Sequence, residues 1–128
     1  MEPTLSVIIP FFNEQDSLRE LYRRITGALV NIGSYELVFV DDGSTDGSFG
    51  IVEELFRSDE RIRAIQLRRN CGKSAAQMVG FRAARSKIIA TIDADLQDEP
   101  NEIPKMLAAL DHADCVVGWK KTRHDPWT

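Results

Sequence analysis

The sequence has no long apolar run and very little cysteine or histidine. Its 128 residues include two cysteines and two histidines, and no apolar stretch approaches the ~20 residues that cross a bilayer. The start, Met-Glu-Pro-Thr, lacks the basic and then apolar segments of a signal peptide. Cys71 and Cys115 stand alone rather than in a C-x-x-C pair, so no zinc or redox motif is indicated. These absences predict a cytoplasmic location with free thiols.

A surplus of basic residues is also missing. Lys and Arg number 16 against 20 Asp and Glu, which gives a formal net charge of -4. Because nucleic-acid-binding domains usually carry a basic surplus, we expect no nucleic acid partner. The 43% hydrophobic and 28% charged residues are typical of one ordinary globular domain.

Short apolar runs alternate with longer amphipathic segments along the chain. Strands are predicted at residues 6–10, 35–40, 62–67, 88–92 and 114–118. Helices are predicted at residues 15–29, 48–56, 74–84 and 101–110, the last with Asn101 as its N-cap. This alternation predicts an α/β fold, a Rossmann-like and mainly parallel sheet with helices on both faces. Ligands of such sheets bind at the carboxyl ends of the strands, near the reversal in strand order.

Two carboxylates, Asp93 and Asp95, follow the fourth predicted strand as a D-x-D motif. Carboxylates this close repel each other unless a cation or a proton lies between them. Hard oxygen ligands suit Mg²⁺ or Mn²⁺, which proteins usually share with substrate phosphates. We therefore predict a divalent metal site here, to which Gln97 and Asp98 are placed to add oxygens. The alternative is a solvated turn whose aspartates cap a helix.

A second acidic turn, D-D-G-S-T-D-G, follows the second predicted strand. Asp41 and Asp42 are predicted to accept hydrogen bonds from a ribose or a base, like the acidic residue of dinucleotide folds. Asp46 is instead expected to cap the next helix.

Basic residues occur at two further strand ends. Lys73 opens a predicted helix after Gly72, where free N–H groups and the helix dipole favour a diphosphate. A Walker motif is excluded, because its first glycine would fall at Leu67. A basic cluster follows the fifth predicted strand at Lys120, Lys121, Arg123 and His124. It is either a solvated charge run or a surface that attracts an anionic acceptor or phosphate.

Taken in order, these motifs resemble family 2 glycosyltransferases of the GT-A fold. The segments concerned are residues 7–14 (V-I-I-P-F-F-N-E), 40–47 (V-D-D-G-S-T-D-G) and 93–100 (D-A-D-L-Q-D-E-P). Residues 69–76 (R-N-C-G-K-S-A-A) and 118–126 (G-W-K-K-T-R-H-D-P) are similar to the dolichol-phosphate mannose synthase and polyprenyl-phosphate glycosyltransferase branch. The resemblance covers nearly the whole chain.

The resemblance implies a role for each matching position. The nucleotide base pocket would be lined by Pro10, Phe12, Glu14 and Asp42, with Asp41 also holding base or ribose. The divalent cation would be bound by Asp93 and Asp95, the catalytic pair of the D-x-D motif, with Gln97 beside them. Ala94, between the two aspartates, would contact the nucleotide sugar. Lys73 would approach the diphosphate, and Arg123 or Lys121 would meet phosphate oxygens.

The resemblance further implies an inverting enzyme of cell-envelope glycan synthesis. It would move a sugar from a nucleotide diphosphate to a polyprenyl-phosphate acceptor at the cytoplasmic face of a membrane. UDP is the first candidate for the nucleotide and GDP is the second. We expect the 128 residues to be the N-terminal, nucleotide-sugar-binding part of the domain, with the acceptor half following.

Four other classes compete with this interpretation. A receiver domain carries its acidic pair after the first strand, whereas Asp41 and Asp42 follow the second. A nicotinamide-dependent oxidoreductase needs G-x-G-x-x-G where this chain has P-F-F-N-E. A sugar nucleotidyltransferase and a nucleotide-sugar-binding module without turnover stay open as alternatives.

Overall fold

A computed structural model describes residues 3–110, which form four β-strands and four α-helices in alternation. The strands are β1 (Leu5–Phe11), β2 (Tyr35–Asp41), β3 (Ile62–Gln66) and β4 (Ile89–Thr91). The helices are α1 (Leu18–Ala28), α2 (Ser48–Ser58), α3 (Lys73–Ala83) and α4 (Glu102–Ala109). In this part of the chain, no helix is both long and apolar enough to cross a membrane.

The strands form one sheet in the order β3-β2-β1-β4, and all three pairs of neighbours are parallel. Successive strands run outward from β1 through β2 to β3, whereas β4 lies on the other side of β1. The reversal in strand order therefore falls between β1 and β4. Ligands of open parallel sheets bind in the crevice at the carboxyl ends of such a pair. The predicted α/β fold class is confirmed.

Helices cover both faces of the sheet, which explains why β1 and β2 are buried along their whole length. One face includes Val7 and Phe39 and packs against apolar residues of α1, α2 and α4. The opposite face includes Ile8 and Val38 and packs against Ala76 of α3.

The predicted elements and the observed ones agree within about three residues at each end. Helix α1 starts at Leu18 rather than at residue 15, because residues 15–17 form a turn. Asn101 occupies the N-cap position of α4, but its side chain makes no capping hydrogen bond. The predicted strand at 114–118 lies outside the described residues.

A charged residue that the sequence analysis did not single out, Glu36, lies inside the sheet with 1% of its surface exposed. Its carboxylate accepts hydrogen bonds from Ser6 Oγ at 2.6 Å and from the backbone N–H of Arg85 at 2.7 Å. The guanidinium groups of Arg63 and Arg85 lie 3.3 and 3.1 Å away. Burial alone would raise the pKa of Glu36, but these hydrogen bonds outweigh burial and hold the pKa below its usual value. Glu36 thus ties three strands together at the edge opposite the crevice.

Replacing Glu36 by glutamine should lower the free energy of unfolding at neutral pH. It should also make that free energy less dependent on pH in the acidic range. Because the folded pKa lies below the reference value of 4.5, the stabilisation is present above that value and is lost as the pH falls through the folded pKa. We expect Glu36→Gln to lower the free energy of unfolding by about 2 kcal/mol at neutral pH, since hydrogen bonds to a charged group weaken. Urea unfolding between neutral pH and about pH 3 measures both effects.

Glu54→Gln is the matched control, because Glu54 pairs with Arg19 at the surface, where 62% of its side chain is exposed. Such pairs contribute little to stability. Indistinguishable unfolding curves for the two variants across this pH range would contradict the assigned role of Glu36.

Candidate functional site

The candidate site lies where β1 and β4 stop pairing, at the carboxyl-terminal edge of the sheet. Alternate residues of β1 direct their backbone groups toward β4, as the hydrogen bond from Ile92 N–H to the Ile8 carbonyl shows. Pro10 is the next residue in that series and has no N–H to donate. The register with β4 ends at Ile8, whereas pairing with β2 continues to Phe11. The proline therefore favours an open crevice at the reversal in strand order.

Asn13 joins the turn after β1 to the loop after β2. It adopts a left-handed backbone with φ of 54°, a conformation that asparagine tolerates. Its side-chain oxygen accepts N–H hydrogen bonds from Thr45 at 2.8 Å and from Asp46 at 3.3 Å. Glu14 adds a bond from its own N–H to Ser48 Oγ at 2.8 Å. The two loops therefore form one connected wall of the crevice.

Asp46 binds the start of α2, as expected from the sequence. Its Oδ1 accepts the N–H of Ser48, the first helical residue, at 2.9 Å. It does so from one position before the N-cap residue, which is Gly47. The hydrogen bond satisfies one of the free N–H groups at the helix start, although the N-cap residue itself makes no side-chain capping bond.

Ser17 joins the turn after β1 to the loop after β4. Its Oγ lies 2.6 Å from the carbonyl oxygen of Ala94 and 2.9 Å from Oε2 of Glu14. Ser17 is the N-cap residue of α1, yet its side chain makes no capping hydrogen bond. The sequence analysis missed Ser17, since it placed residue 17 inside the predicted helix at 15–29 and no local signal indicates a contact with a loop 77 residues away.

Asp41 and Asp42 are completely buried, and both bind backbone N–H groups. Asp42 accepts the N–H of Cys71 at 2.7 Å with Oδ1 and the N–H of Gly72 at 2.9 Å with Oδ2. Asp41 accepts the N–H of Ser44 at 2.8 Å with Oδ1. Its Oδ2 is enclosed and has no hydrogen-bond partner among residues 3–110. Oδ2 is thus the Asp41 oxygen that can accept a further hydrogen bond, for example from a ligand. Contact of Asp41 and Asp42 with a base or ribose stays a prediction.

Gly43 lets the loop after β2 lie directly against the loop after β3. Its φ of 77° is in the left-handed region that favours glycine. A Cβ at this position would lie 2.5 Å from backbone atoms of Arg69 and Asn70. Gly43 and Asp42 together hold residues 69–72, which lead into α3.

Helix α3 begins with Lys73, whose ammonium reaches across to the loop after β4. Lys73 Nζ lies 2.7 Å from Asp93 Oδ2, and the two side chains are only 14% and 12% exposed. The start of α3 also presents the positive end of a helix dipole. The structure thus brings together Lys73 and Asp93, which the sequence placed at different strand ends.

The D-x-D segment is curled by hydrogen bonds within its own loop. Asp93 donates its N–H to Asp98 Oδ2 at 2.7 Å, and Gln97 donates its N–H to Asp95 Oδ1 at 3.1 Å. Leu96 between them adopts φ of 65°. The turn therefore keeps several carboxylate oxygens, which are candidate metal ligands, close to the carboxyl end of β4.

Within residues 3–110, no group of three or more His, Cys, Asp and Glu side chains is arranged to hold a metal ion alone. Asp93 and Asp95 still fit an ion shared with phosphates, because Mg²⁺ usually takes one or two carboxylates plus substrate oxygens. Asp93 Oδ2 already binds one cationic group, the Lys73 ammonium. The assignment of Asp93, Asp95 and Gln97 as metal ligands stays a prediction.

Most of the predicted site residues lie at this edge of the sheet. They are Pro10, Phe12, Glu14, Asp41, Asp42, Lys73, Asp93, Ala94, Asp95 and Gln97. The predicted phosphate contacts Lys121 and Arg123 lie outside the described residues, together with Lys120 and His124.

A cavity of about 380 Å³ lies at the opposite, amino-terminal edge of β2. Its lining residues are Thr26, Leu29, Val30, Ile32, Gly33, Ser34, Tyr35 and Arg61. No predicted site residue is among them, and the Arg61 guanidinium is already hydrogen-bonded to Asp59. The crevice between β1 and β4 remains the candidate site, because the Lys73 ammonium, the Asp93 carboxylate and the start of α3 meet there.

A family model described as glycosyl transferase family 2 matches residues 6–127. The chain belongs to glycosyl transferase family 2. This confirms the family indicated by the strand-end motifs.

Two curated relatives carry polyprenyl-phosphate names, in agreement with the branch that the motifs resemble. An undecaprenyl-phosphate 4-deoxy-4-formamido-L-arabinose transferase of Edwardsiella ictaluri is 44% identical over 126 residues, 96% of this chain and 39% of that protein. A dodecaprenyl-phosphate galacturonate synthase of Rhizobium johnstonii is 40% identical over 125 residues, 94% of this chain and 37% of that protein. The chain thus spans less than two-fifths of either relative.

Among solved structures, the family 2 chain is similar to the mannosyltransferase PcManGT from Pyrobaculum calidifontis, solved in complex with GDP-Man and Mn²⁺. The TM-score is 0.75 at 25% identity, over 86% of this chain and 33% of the other. This likeness agrees with the predicted GT-A fold.

Replacing Gly43 by alanine should separate the loops after β2 and β3. Alanine in a left-handed conformation costs about 1–2 kcal/mol, and the contact with the backbone of residues 69–70 adds to this cost. We expect a loss of roughly 2 kcal/mol or more in unfolding free energy, measured by thermal and urea unfolding.

Gly33→Ala provides the control, since Gly33 is exposed and a Cβ there meets nothing within 4 Å. If both variants unfold at the same temperature, the close approach at Gly43 does not stabilise the loops.

Proposed function

We propose that this chain is the nucleotide-sugar-binding part of an inverting glycosyltransferase. The enzyme would move a sugar from a nucleotide diphosphate to a polyprenyl-phosphate acceptor, with a divalent cation on the diphosphate. The observation that carries the proposal is the meeting of Lys73 and Asp93, beside Asp95, at the crevice between β1 and β4. Family membership gives the reaction class, and the names of the two relatives support the acceptor class.

Each wall of the crevice would contact a different part of the donor. The turn after β1, with Phe12 and Glu14, and the buried Asp41 and Asp42 would surround the base and ribose. Asp41 Oδ2 has the capacity to accept a base N–H or a ribose hydroxyl, provided that the turn around it shifts. UDP is the first candidate for the donor nucleotide and GDP is the second. The similar mannosyltransferase was solved with GDP-Man, which supports GDP as a candidate.

The leaving group determines what the other wall must do. When bound, the cation offsets the negative charge that develops on the nucleoside diphosphate as the sugar–oxygen bond breaks. Asp93 and Asp95 would hold this ion. The N-terminus of α3 and Lys73 would contact phosphate oxygens.

The acceptor side would need positioning more than proton transfer. A polyprenyl phosphate is already anionic at neutral pH, so its oxygen can attack without a general base. Attack on the anomeric carbon from the side opposite the diphosphate forms the new sugar–phosphate bond, expels the nucleoside diphosphate and inverts the anomeric centre. A lipid acceptor implies action at a membrane surface, which we place at the cytoplasmic face. Arg123 and Lys121 would attract the phosphates there.

Donor binding without turnover is the second candidate for this chain alone. The observation behind it is that the chain spans only 39% and 37% of the two relatives. Nucleotidyl transfer is disfavoured by the family match.

Donor binding should require metal and the charge of Asp95. We expect calorimetric titration of the 128-residue chain to show UDP or GDP binding with Mn²⁺ that disappears with a chelator. Asp95→Asn should weaken the metal-dependent binding at least tenfold, about 1.4 kcal/mol, because a carboxylate ligand is lost. The asparagine keeps an oxygen for the Gln97 N–H, so the turn is preserved.

Glu53→Ala removes one negative charge from an exposed position on α2 and is the control. The proposal would be falsified if the folded chain binds neither nucleotide with Mn²⁺, or if Asp95→Asn binds as tightly as Glu53→Ala. Sugar transfer from the bound donor to a polyprenyl phosphate, assayed with the same chain, shows whether this chain alone also catalyses turnover.

A further inference from the structure

The Asp93 carboxylate has one cationic partner in the structure and a second one in the proposed function. Asp93 Oδ2 is bonded to the Lys73 ammonium at 2.7 Å, and Asp93 is also proposed as a ligand of the divalent cation. An ammonium at hydrogen-bond distance and a divalent ion on the same small carboxylate repel each other strongly in a partly buried site. The two cations therefore compete for Asp93.

The backbone that carries the Lys73 ammonium is fixed by the fold. Asp42 fixes the N–H groups of Cys71 and Gly72, the two residues directly before α3, so the helix start is anchored. Lys73 is the first residue of that helix. Its flexible four-carbon stem still allows the ammonium to move to a neighbouring anion.

We propose that Lys73 acts as an exchangeable internal cation, which balances Asp93 in the empty site and moves to the diphosphate when the metal-bound donor enters. This inference rests on the proposed function. The incoming phosphates provide new acceptors for the ammonium, and the divalent ion then takes the vacated carboxylate oxygen. Metal and nucleotide consequently assist each other's binding, and by linkage each raises the affinity of the other by the same factor.

A purely structural ion pair makes a different prediction. If Lys73 only stabilises the fold, its removal changes unfolding but has no special effect on metal binding. If Lys73 is exchanged, its removal frees Asp93 for the metal and abolishes part of the coupling between metal and nucleotide. Metal affinity without nucleotide therefore distinguishes the two roles, and it needs no catalytic turnover.

The test is calorimetric titration of the 128-residue chain with Mn²⁺ alone. Lys73→Gln removes the charge and keeps a hydrogen-bond donor for Asp93, so it is the least disruptive variant. We expect Mn²⁺ to bind this variant about tenfold more tightly than the unaltered chain, because its competitor is gone. Arg68→Gln removes the same charge from an exposed position in the adjoining loop and should change the Mn²⁺ affinity by less than about threefold.

The coupling is measured by repeating the titrations with saturating UDP or GDP. In the unaltered chain the nucleotide should raise Mn²⁺ affinity by a larger factor than in Lys73→Gln, whereas Lys73→Arg should retain most of the effect. Urea unfolding checks that each variant is folded, and Lys73→Met replaces Lys73→Gln if the latter is not.

Equal Mn²⁺ affinities for Lys73→Gln and Arg68→Gln, or no Mn²⁺ binding by the folded Lys73 variant, would overturn the exchange. Metal-dependent nucleotide binding by the unaltered chain would then leave the proposed function standing. If the unaltered chain does not bind UDP or GDP, the proposed function itself is overturned.

Discussion

Parallel pairing of all neighbouring strands fixes where the polar loops of the site meet. It places every strand's carboxyl end at one edge, and it puts the reversal in strand order between β1 and β4. Pro10 then withholds the next backbone donor toward β4. The position of the site is thus a consequence of sheet topology, to which Pro10 contributes by ending the pairing with β4, and the polar loops lie there because the strands end there.

Buried carboxylates determine how those loops are connected. A charge inside the fold is tolerated only when hydrogen-bond donors surround it, so each buried acid organises the segments that supply its donors. At one edge Glu36 joins β1, β3 and the segment before β4. At the other edge Asp42 binds the N–H groups that precede α3. The same physical requirement therefore stabilises the sheet at one end and positions Lys73 at the other.

The element order, the fold class and the placement of the strand-end motifs were predictable, since periodicity and turn residues are local signals. The partners of the acids were not. Nothing near Glu36 in the sequence indicates that its donors lie 30 residues earlier and 27 to 49 residues later. The D-D-G pattern likewise does not show that Asp42 accepts the backbone N–H groups of Cys71 and Gly72. Ser17 was missed for the same reason. Each of these roles depends on chain segments that only the folded sheet brings together.

The charge balance of the crevice bears on what it can bind. Six aspartates lie at the end of β2 or in the loops after β2 and β4, at Asp41, Asp42, Asp46, Asp93, Asp95 and Asp98. Backbone N–H groups neutralise part of this charge, as at Asp42 and Asp46. Among the residues that the structure describes, the Lys73 ammonium and the dipole of α3 offset part of the negative charge that a diphosphate would meet. The acidity of the described part of the site is thus consistent with the proposal that a cation at Asp93 and Asp95 accompanies an anionic donor.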